Sequence, residues 1–255
     1  MSVNWIGLYT LIRREMERTF RVVTQTLVTP WISAVLYIFI FGYVVGKKID
    51  LIAGVPYIDF VLPGVLMMNV IASAFAHSSS SVYFARFVRS IEEILIAPLS
   101  HFEMIIGFAI SAVFRAIIVG VGVFFIAIFF GAASITHFGL FLIYITTVAL
   151  VFALLGILVG LWAKGFEQLN VLSTFVIMPL NFLGGVFYSV TMLPEKIKAV
   201  AYANPFFYFV DGIRYSMIGV RESNHIIGYF VIGILIIVFG ALVHYLFKKG
   251  WRLRE

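Results

Sequence analysis

Six runs of about 20 mostly apolar residues, each bounded by charge, Pro or Gly, divide the chain at residues 27–45, 58–76, 105–130, 138–163, 171–190 and 226–247. A helix of that length crosses about 30 Å of hydrocarbon, so each run predicts a membrane span. The first opens at Thr29 and Pro30 and closes at Gly46, Lys47 and Lys48. The second carries Pro63 and leads into His77 and the serines at 78–81, which read as its polar exit. A single charge, Arg115, lies inside the third. A charge at that depth faces a bundle interior or a watery cavity, unless the span starts lower and Arg115 snorkels to the interface. Gly42 and Gly46, like Gly156 and Gly160, have the small-xxx-small spacing that lets helix backbones approach closely.

Three segments outside these runs change the picture. Over residues 4–24, Trp5, Leu8, Tyr9, Ile12, Met16, Phe20 and Val23 recur at spacings of 3 and 4, while Arg13, Arg14, Glu17, Arg18 and Arg21 fill the other face. This predicts an amphipathic helix lying in the membrane interface, or else a basic flank that orients the first span. Residues 84–103 carry a charged first half and then Ile94, Leu95 and Ile96, broken at Ala97 and Pro98. A solvated loop has no reason to show such apolar groups to water, so a short helix here is expected to dock on something. Residues 191–224 are only partly polar, and backbone at membrane depth must be satisfied internally, which predicts a pair of short re-entrant helices.

Composition agrees with an all-α membrane protein in one transmembrane domain. The chain of 255 residues is 62% hydrophobic and 12% charged, against about 45–50% and about 25% in soluble domains. It has no cysteine, which removes disulfides and thiolate metal sites. A net charge of +6 invites a nucleic-acid reading, but the basic residues form short clusters between apolar runs and no continuous stripe, so no nucleic-acid partner is expected. The glycines at 42 and 46 before Lys47 are one residue too close for a phosphate-binding loop and lack its Ser or Thr. His77, His101, His137, His225 and His244 are scattered without metal-ligand spacing, so neither a metal site nor a catalytic residue is expected. Ser78 beside His77 lacks a nucleophile elbow.

Orientation follows from Lys and Arg near the span ends. Eleven (Arg13, Arg14, Arg18, Arg21, Arg86, Arg89, Lys164, Lys248, Lys249, Arg252 and Arg254) fall on one side with both termini, and six on the other. That side is expected to be cytoplasmic, with the 191–224 segment outside. A cleaved signal peptide is not expected.

Ile91-Glu92-Glu93-Ile94-Leu95-Ile96-Ala97-Pro98-Leu99-Ser100, the glycines 184 and 185 before Val186, Phe187 and Tyr188, Leu193-Pro194, and Asn204-Pro205-Phe206 followed by Tyr208, Asp211, Gly212, Arg214 and Tyr215 together resemble the permease subunits of type-2 ATP-binding cassette (ABC) exporters. The resemblance runs over essentially the whole chain. It implies the type-2 exporter fold in the cytoplasmic (inner) membrane of a prokaryote, as a homodimer or paired with a paralogous permease. Two copies of a separate cytoplasmic ATPase would bind ATP and Mg, since this chain binds no cofactor itself. In that family Arg86, Arg89, Ile91, Glu92, Glu93, Leu95, Ala97, Pro98 and Leu99 would form the ATPase-coupling element, with Ile94, Leu95 and Leu99 packing into the ATPase. Lys164 and Glu167 would make a second contact, and Arg13, Arg14 and Arg18 would sit on the interface helix. Asn204, Pro205, Tyr208, Asp211 and Arg214 would be a structural motif, a turn plus an internal ion pair, or a substrate contact. Tyr37, Phe41, Arg115, Phe175 and Phe182 are candidates for lining a path for an amphiphile, glycan or drug, although such rings also pack against lipid and one another. The rival, a secondary transporter or channel without an ATPase, would be expected to carry several intramembrane carboxylates or an internal repeat; only Asp59 lies near a span. A membrane transferase would need clustered acidic or His residues at one face.

Overall fold

A computed structural model describes residues 4–49, 51–131 and 134–253. Arg254, counted in the basic cluster, and residues 132–133 of the turn after the third run lie outside them. The chain opens with α1 (Trp5–Arg21) and continues into α2 (Thr24–Val45), which is wound as π-helix at Thr24–Val28 and Ile38–Val45. A small antiparallel hairpin, β1 (Leu51–Ile52) and β2 (Val55–Pro56), turns through Ala53 and Gly54, both at positive φ. Two positive φ values in a row are what a type I′ two-residue hairpin turn requires. Then come α3 (Tyr57–Phe87), α4 (Ser90–Ile96), α5 (His101–Phe129) and α6 (Phe138–Trp162). Helix α7 covers 166–183, again with a π-wound centre at Ser173–Ile177. The chain closes with α8 (Glu195–Ala203), α9 (Pro205–Ile218) and α10 (His225–Lys249).

Five of these helices, α2, α3, α5, α6 and α10, are long and apolar enough to cross a membrane. The expected fifth run, 171–190, differs. Its helix starts earlier, in the polar Glu167, Gln168 and Asn170, and stops at Leu183. The chain then breaks at Gly184 and at Gly185, whose φ of +75° is left-handed and open to glycine at little cost. Five of the six expected runs therefore coincide with helices of span length and apolarity among the described residues.

Helix α3 is the centre of the bundle and the most buried of the five long helices. It does not end at residue 76. His77, Ser78, Ser79 and Ser81 are buried within it, so the expected polar exit is corrected to a helix interior. Ser78 Oγ donates to Ala74 O at 3.0 Å and Ser80 Oγ to His77 O at 3.1 Å, so these hydroxyls are satisfied by their own helix. Their small size serves the crossing with α6. A Cβ on Gly156 would lie 2.0 Å from Ser78 Oγ and 2.6 Å from Phe75 O, and one on Gly160 would lie 2.7 Å from Ser79 O. The backbones of α3 and α6 touch where the glycines of one meet the serines of the other.

Helix α9 packs against α3, α6 and α10, and α8 leads into it. Helix α9 is capped by Asn204, whose Oδ1 accepts from Phe206 N at 3.0 Å, has Pro205 as its first residue, and ends at left-handed Gly219. It runs along the first half of α6, from the Phe206–Phe152 ring contact to Met217 O, which accepts from Thr136 N. Phe206 thus lies at the level of the middle of α6.

Both chain ends reach one face of the bundle, called the terminal face below. There Asn4 N donates to Glu103 Oε1 at 2.7 Å, and Arg86 Nε donates to Arg252 O at 2.6 Å.

The α3–α6 crossing makes a direct prediction. Gly156→Leu overpacks a backbone contact and should cost about 2 kcal/mol or more, read as a lower thermal unfolding midpoint in detergent. Gly139→Ala, where a Cβ meets nothing, should leave the midpoint unchanged.

Candidate functional site

The terminal face is built around the loop after α3. Val88 ends that helix, and Arg89, at φ 58°, reverses the chain so that α4 folds back beneath the bundle. Helix α4 is too short to hold itself and depends on its anchors. Ile91 and Ile94 are buried among α3, α5 and α6 side chains, and Leu95 and Leu99 are half-buried against the same cluster. Packing of Ile94, Leu95 and Leu99 into a partner is therefore corrected: these residues root the loop in its own chain. Glu92, Glu93, Pro98 and Arg89 are exposed, Ala97 is half-buried, and Ile96 is 85% exposed. Arg86 is corrected in the same way. Its Nη1 donates to the carbonyls of Gly160, Leu161 and Ala163 at 2.8–3.2 Å, and so caps the C-terminal end of α6. Lys164 follows directly and shares a recess of about 220 Å³ with Glu92 and Arg86. Glu167 is exposed nearby, on the first turn of α7.

The loop is also fastened to α1. Ser100 and Glu103 form a capping box that starts α5, and Glu103 and Pro98 O hold Asn4, which caps α1. Leu99 packs on Gly7, and Leu11 packs on Gly107 of α5. Of the apolar stripe expected to lie in the membrane interface, Trp5, Tyr9, Phe20 and Val23 are exposed, while Leu8 from that stripe faces the bundle with Leu11, Glu15 and Thr19. Glu15 is 2% exposed. It accepts from Ser81 Oγ and pairs with Arg14 and Arg18, each at 3.2 Å. Burial lowers the Arg18 pKa while Glu15 opposes the shift. Arg13 pairs with Glu17 on the exposed side at 2.8 Å, and Glu17 raises its pKa.

Beside this junction lies a cavity of about 630 Å³, between α1, the start of α2, α3, α5 and α7. Arg115 faces it with Nη2 donating to Thr26 O at 3.3 Å, so of the two readings of this residue the structure favours the cavity. Of the other path candidates, Tyr37, Phe41 and Phe182 converge on Phe187, a ring of the glycine motif not expected to line a path, with centroids at 5.8, 4.0 and 5.5 Å. Phe175 stands apart from them, 74% exposed.

The motif of α9 is structural on its own contacts. Asn204 Nδ2 donates to Leu180 O at 2.7 Å, and Tyr208 OH to Tyr202 O at 2.9 Å. The expected internal ion pair is corrected. Arg214, fully buried, donates to Phe60 O at 3.2 Å and to Gly185 O at 2.6 Å, and stacks over the Phe60 ring at 3.8 Å. Asp211 instead accepts from Glu222 N and Ser223 N at 2.8 and 3.1 Å. The arginine ties α9 to α3 and the glycine turn, and the aspartate holds the loop before α10.

Glu15, Glu103, Ile96 and Phe187 were missed as site residues. Glu103 had a local signal, since Ser100-x-x-Glu103 opens a helix. Glu15 had only its i, i+4 place above Leu11, which an apolar stripe one residue away outweighs.

Comparison with known proteins bears on the whole assembly. Residues 7–218 match the ABC-2 type transporter family. The chain is 35% identical over 255 residues, the full length of both, to the inner membrane transport permease YadH of Escherichia coli K12. It is 26% identical over 245 residues, 93% of this chain and 91% of the other, to nodulation protein J of Rhizobium leguminosarum bv. viciae. With nodulation protein J of Rhizobium meliloti the figure is 27% over 217 residues, 85% of this chain and 82% of the other. The chain belongs to the ABC-2 type transporter family, as a multi-pass membrane permease.

Proposed function

We propose that the chain is the membrane-spanning subunit of an ATP-driven exporter, paired with a second copy or a paralogous permease and docked on two copies of a cytoplasmic ATPase that bind ATP and Mg. The observation that carries this is the outward tip of the 86–99 loop. Glu92, Glu93, Ile96 and Pro98 are displayed on a base anchored by Ile91 and Ile94, and an exposed apolar tip flanked by charge is what a protein interface needs. The two glutamates pair with basic groups of the ATPase while Ile96 enters it, and Lys164 and Glu167 add the second contact. Arg89 contributes at the rim.

In this reading the terminal face is the cytoplasmic side of the inner membrane, supported by the count of eleven against six basic residues. The exposed rings of α1, Trp5, Tyr9 and Phe20, suit an amphipathic helix lying on lipid, with Arg13 among the headgroups. Helix 166–183 supplies the sixth crossing, and α8 and α9 form a re-entrant pair on the outer side, consistent with Phe206 lying opposite the middle of α6. The seam of Tyr37, Phe41, Phe182 and Phe187 between α2 and α7 suits an amphiphilic, glycan or drug-like cargo, since ring faces accept both sugar and hydrocarbon.

Two outcomes test the docking. In cells expressing the tagged chain, an ABC ATPase should copurify, and Glu92→Lys with Glu93→Lys should cut its recovery tenfold or more, as like charges placed across an interface cost several kcal/mol; undiminished recovery contradicts the assignment. Ile96→Asp should weaken recovery as strongly without lowering the chain's own unfolding midpoint. Ile94→Asp, which buries a carboxylate in the root, should lower that midpoint as well.

A further inference from the structure

We infer that the cavity among α1, α2, α3, α5 and α7 binds the anionic, phosphate-type headgroup of an amphiphile. This deepens the export reading by giving the cargo, or a lipid that rides with it, a charge and a place.

Three observations converge. The first is charge: Arg18 reaches the cavity from α1 and Arg115 from α5, and among the described residues none of those lining it is acidic. Glu15 engages Arg18 but is not part of the lining. The second is unfinished hydrogen bonding. His77 is 1% exposed and lines the cavity; its Nδ1 lies 3.5 Å from Thr19 Oγ1, and its Nε2 has no partner. Arg115 Nε is also buried without one. Buried polar groups are nearly always paired, so two orphans on the wall of one cavity point to an absent ligand. The third is local winding: the two π-helical stretches Thr24–Val28 and Ser173–Ile177 flank the same space, contributing Gln25, Thr26 and Ser173 to its wall. Single π-turns of this kind interrupt helices most often at functional sites.

The rest of the wall says what the anion is attached to. Phe75, Phe84, Phe166 and Leu169 form an apolar part of the lining, and Phe84 and Phe166 are exposed. A free anion would use the guanidinium groups and leave that apolar half idle. An amphiphile places its headgroup between Arg18 and Arg115, forms charge-assisted hydrogen bonds there, and runs its tail out past the phenylalanines. At about 630 Å³ the space suits a headgroup and the first part of a chain, within the range of small-molecule sites.

The test is a calorimetric titration of the full chain in discs of zwitterionic lipid, with empty discs subtracted, using dihexanoyl phosphatidic acid, dihexanoyl phosphatidylcholine and inorganic phosphate as probes. Phosphatidic acid should bind saturably, and each of the other two at least about tenfold more weakly. Losing one charge-assisted contact should cost about tenfold or more, so Arg115→Gln should weaken phosphatidic acid by that factor and Arg115→Lys by threefold or less. Should Arg115→Gln not fold, Arg18→Gln from the other wall is expected to show the same loss. Equal binding of phosphatidylcholine, equal binding of inorganic phosphate, or unchanged affinity in a folded Arg→Gln variant would each overturn the site. The titration needs neither ATPase nor transport, so its failure leaves the docking of the ATPase standing, and failure of that docking leaves the cavity standing.

Discussion

The contact on which the rest of the structure depends is the crossing of α3 and α6. In lipid, helices gain little from burying apolar surface against one another, and close backbone packing has to supply the association. Gly156 and Gly160 supply it by lying directly on Ser78, Ser79 and the Phe75 carbonyl. With α6 so close, α3 becomes a central post, and each functional region hangs from it. Helix α9 hangs from its upper part through Arg214 and Phe60 O, and α1 from its lower part through Glu15 and Ser81. The 86–99 loop emerges from its end, where Arg86 reaches across to cap α6.

In the proposed reading, this arrangement is what would let the chain respond to a separate ATPase. A push on the α4 tip cannot be absorbed locally, because the loop is fixed at four places: to α6 by Arg86, to the C-terminal segment by the same arginine, to α5 by the Ser100–Glu103 box, and to α1 by Asn4. The load passes to α1, α5 and α6 together. The three π-wound stretches lie in α2 and α7 instead, the two helices that carry the aromatic seam and border the large cavity. Rigid elements at the loop and imperfectly wound helices along the path suit a two-state rearrangement in which one packing is exchanged for another.

Much of this was legible in the chain. The long apolar helices followed from run length, the small-residue contact of α6 from Gly156 and Gly160, and the short helix α4 from apolar residues in a polar setting. The failures have physical reasons. Hydropathy shows the apolar stripe of α1, which stays exposed at Trp5 and Tyr9, but gives no sign that Glu15 is buried against the bundle. The serines at 78–81 look like an exit because polarity usually marks a boundary, yet small hydroxyls that bond their own helix are equally at home in a crossing. The Asp211–Arg214 spacing invites an ion pair, but each side chain found backbone partners from a distant segment, Gly185 and Phe60 for one and residues 222–223 for the other. Tertiary partners of that kind leave no local trace.

The claim that matters most is that the α4 tip is where the motor engages. The chain has no cysteine, so a single introduced one is unique and can be cross-linked without background. In membranes from cells expressing the Ile96→Cys variant, a short bifunctional reagent should join the chain to an ABC ATPase, while Leu51→Cys, also exposed but in the hairpin, should give no such product. Cross-linking from position 51 and none from position 96, with both variants folded, would contradict the account.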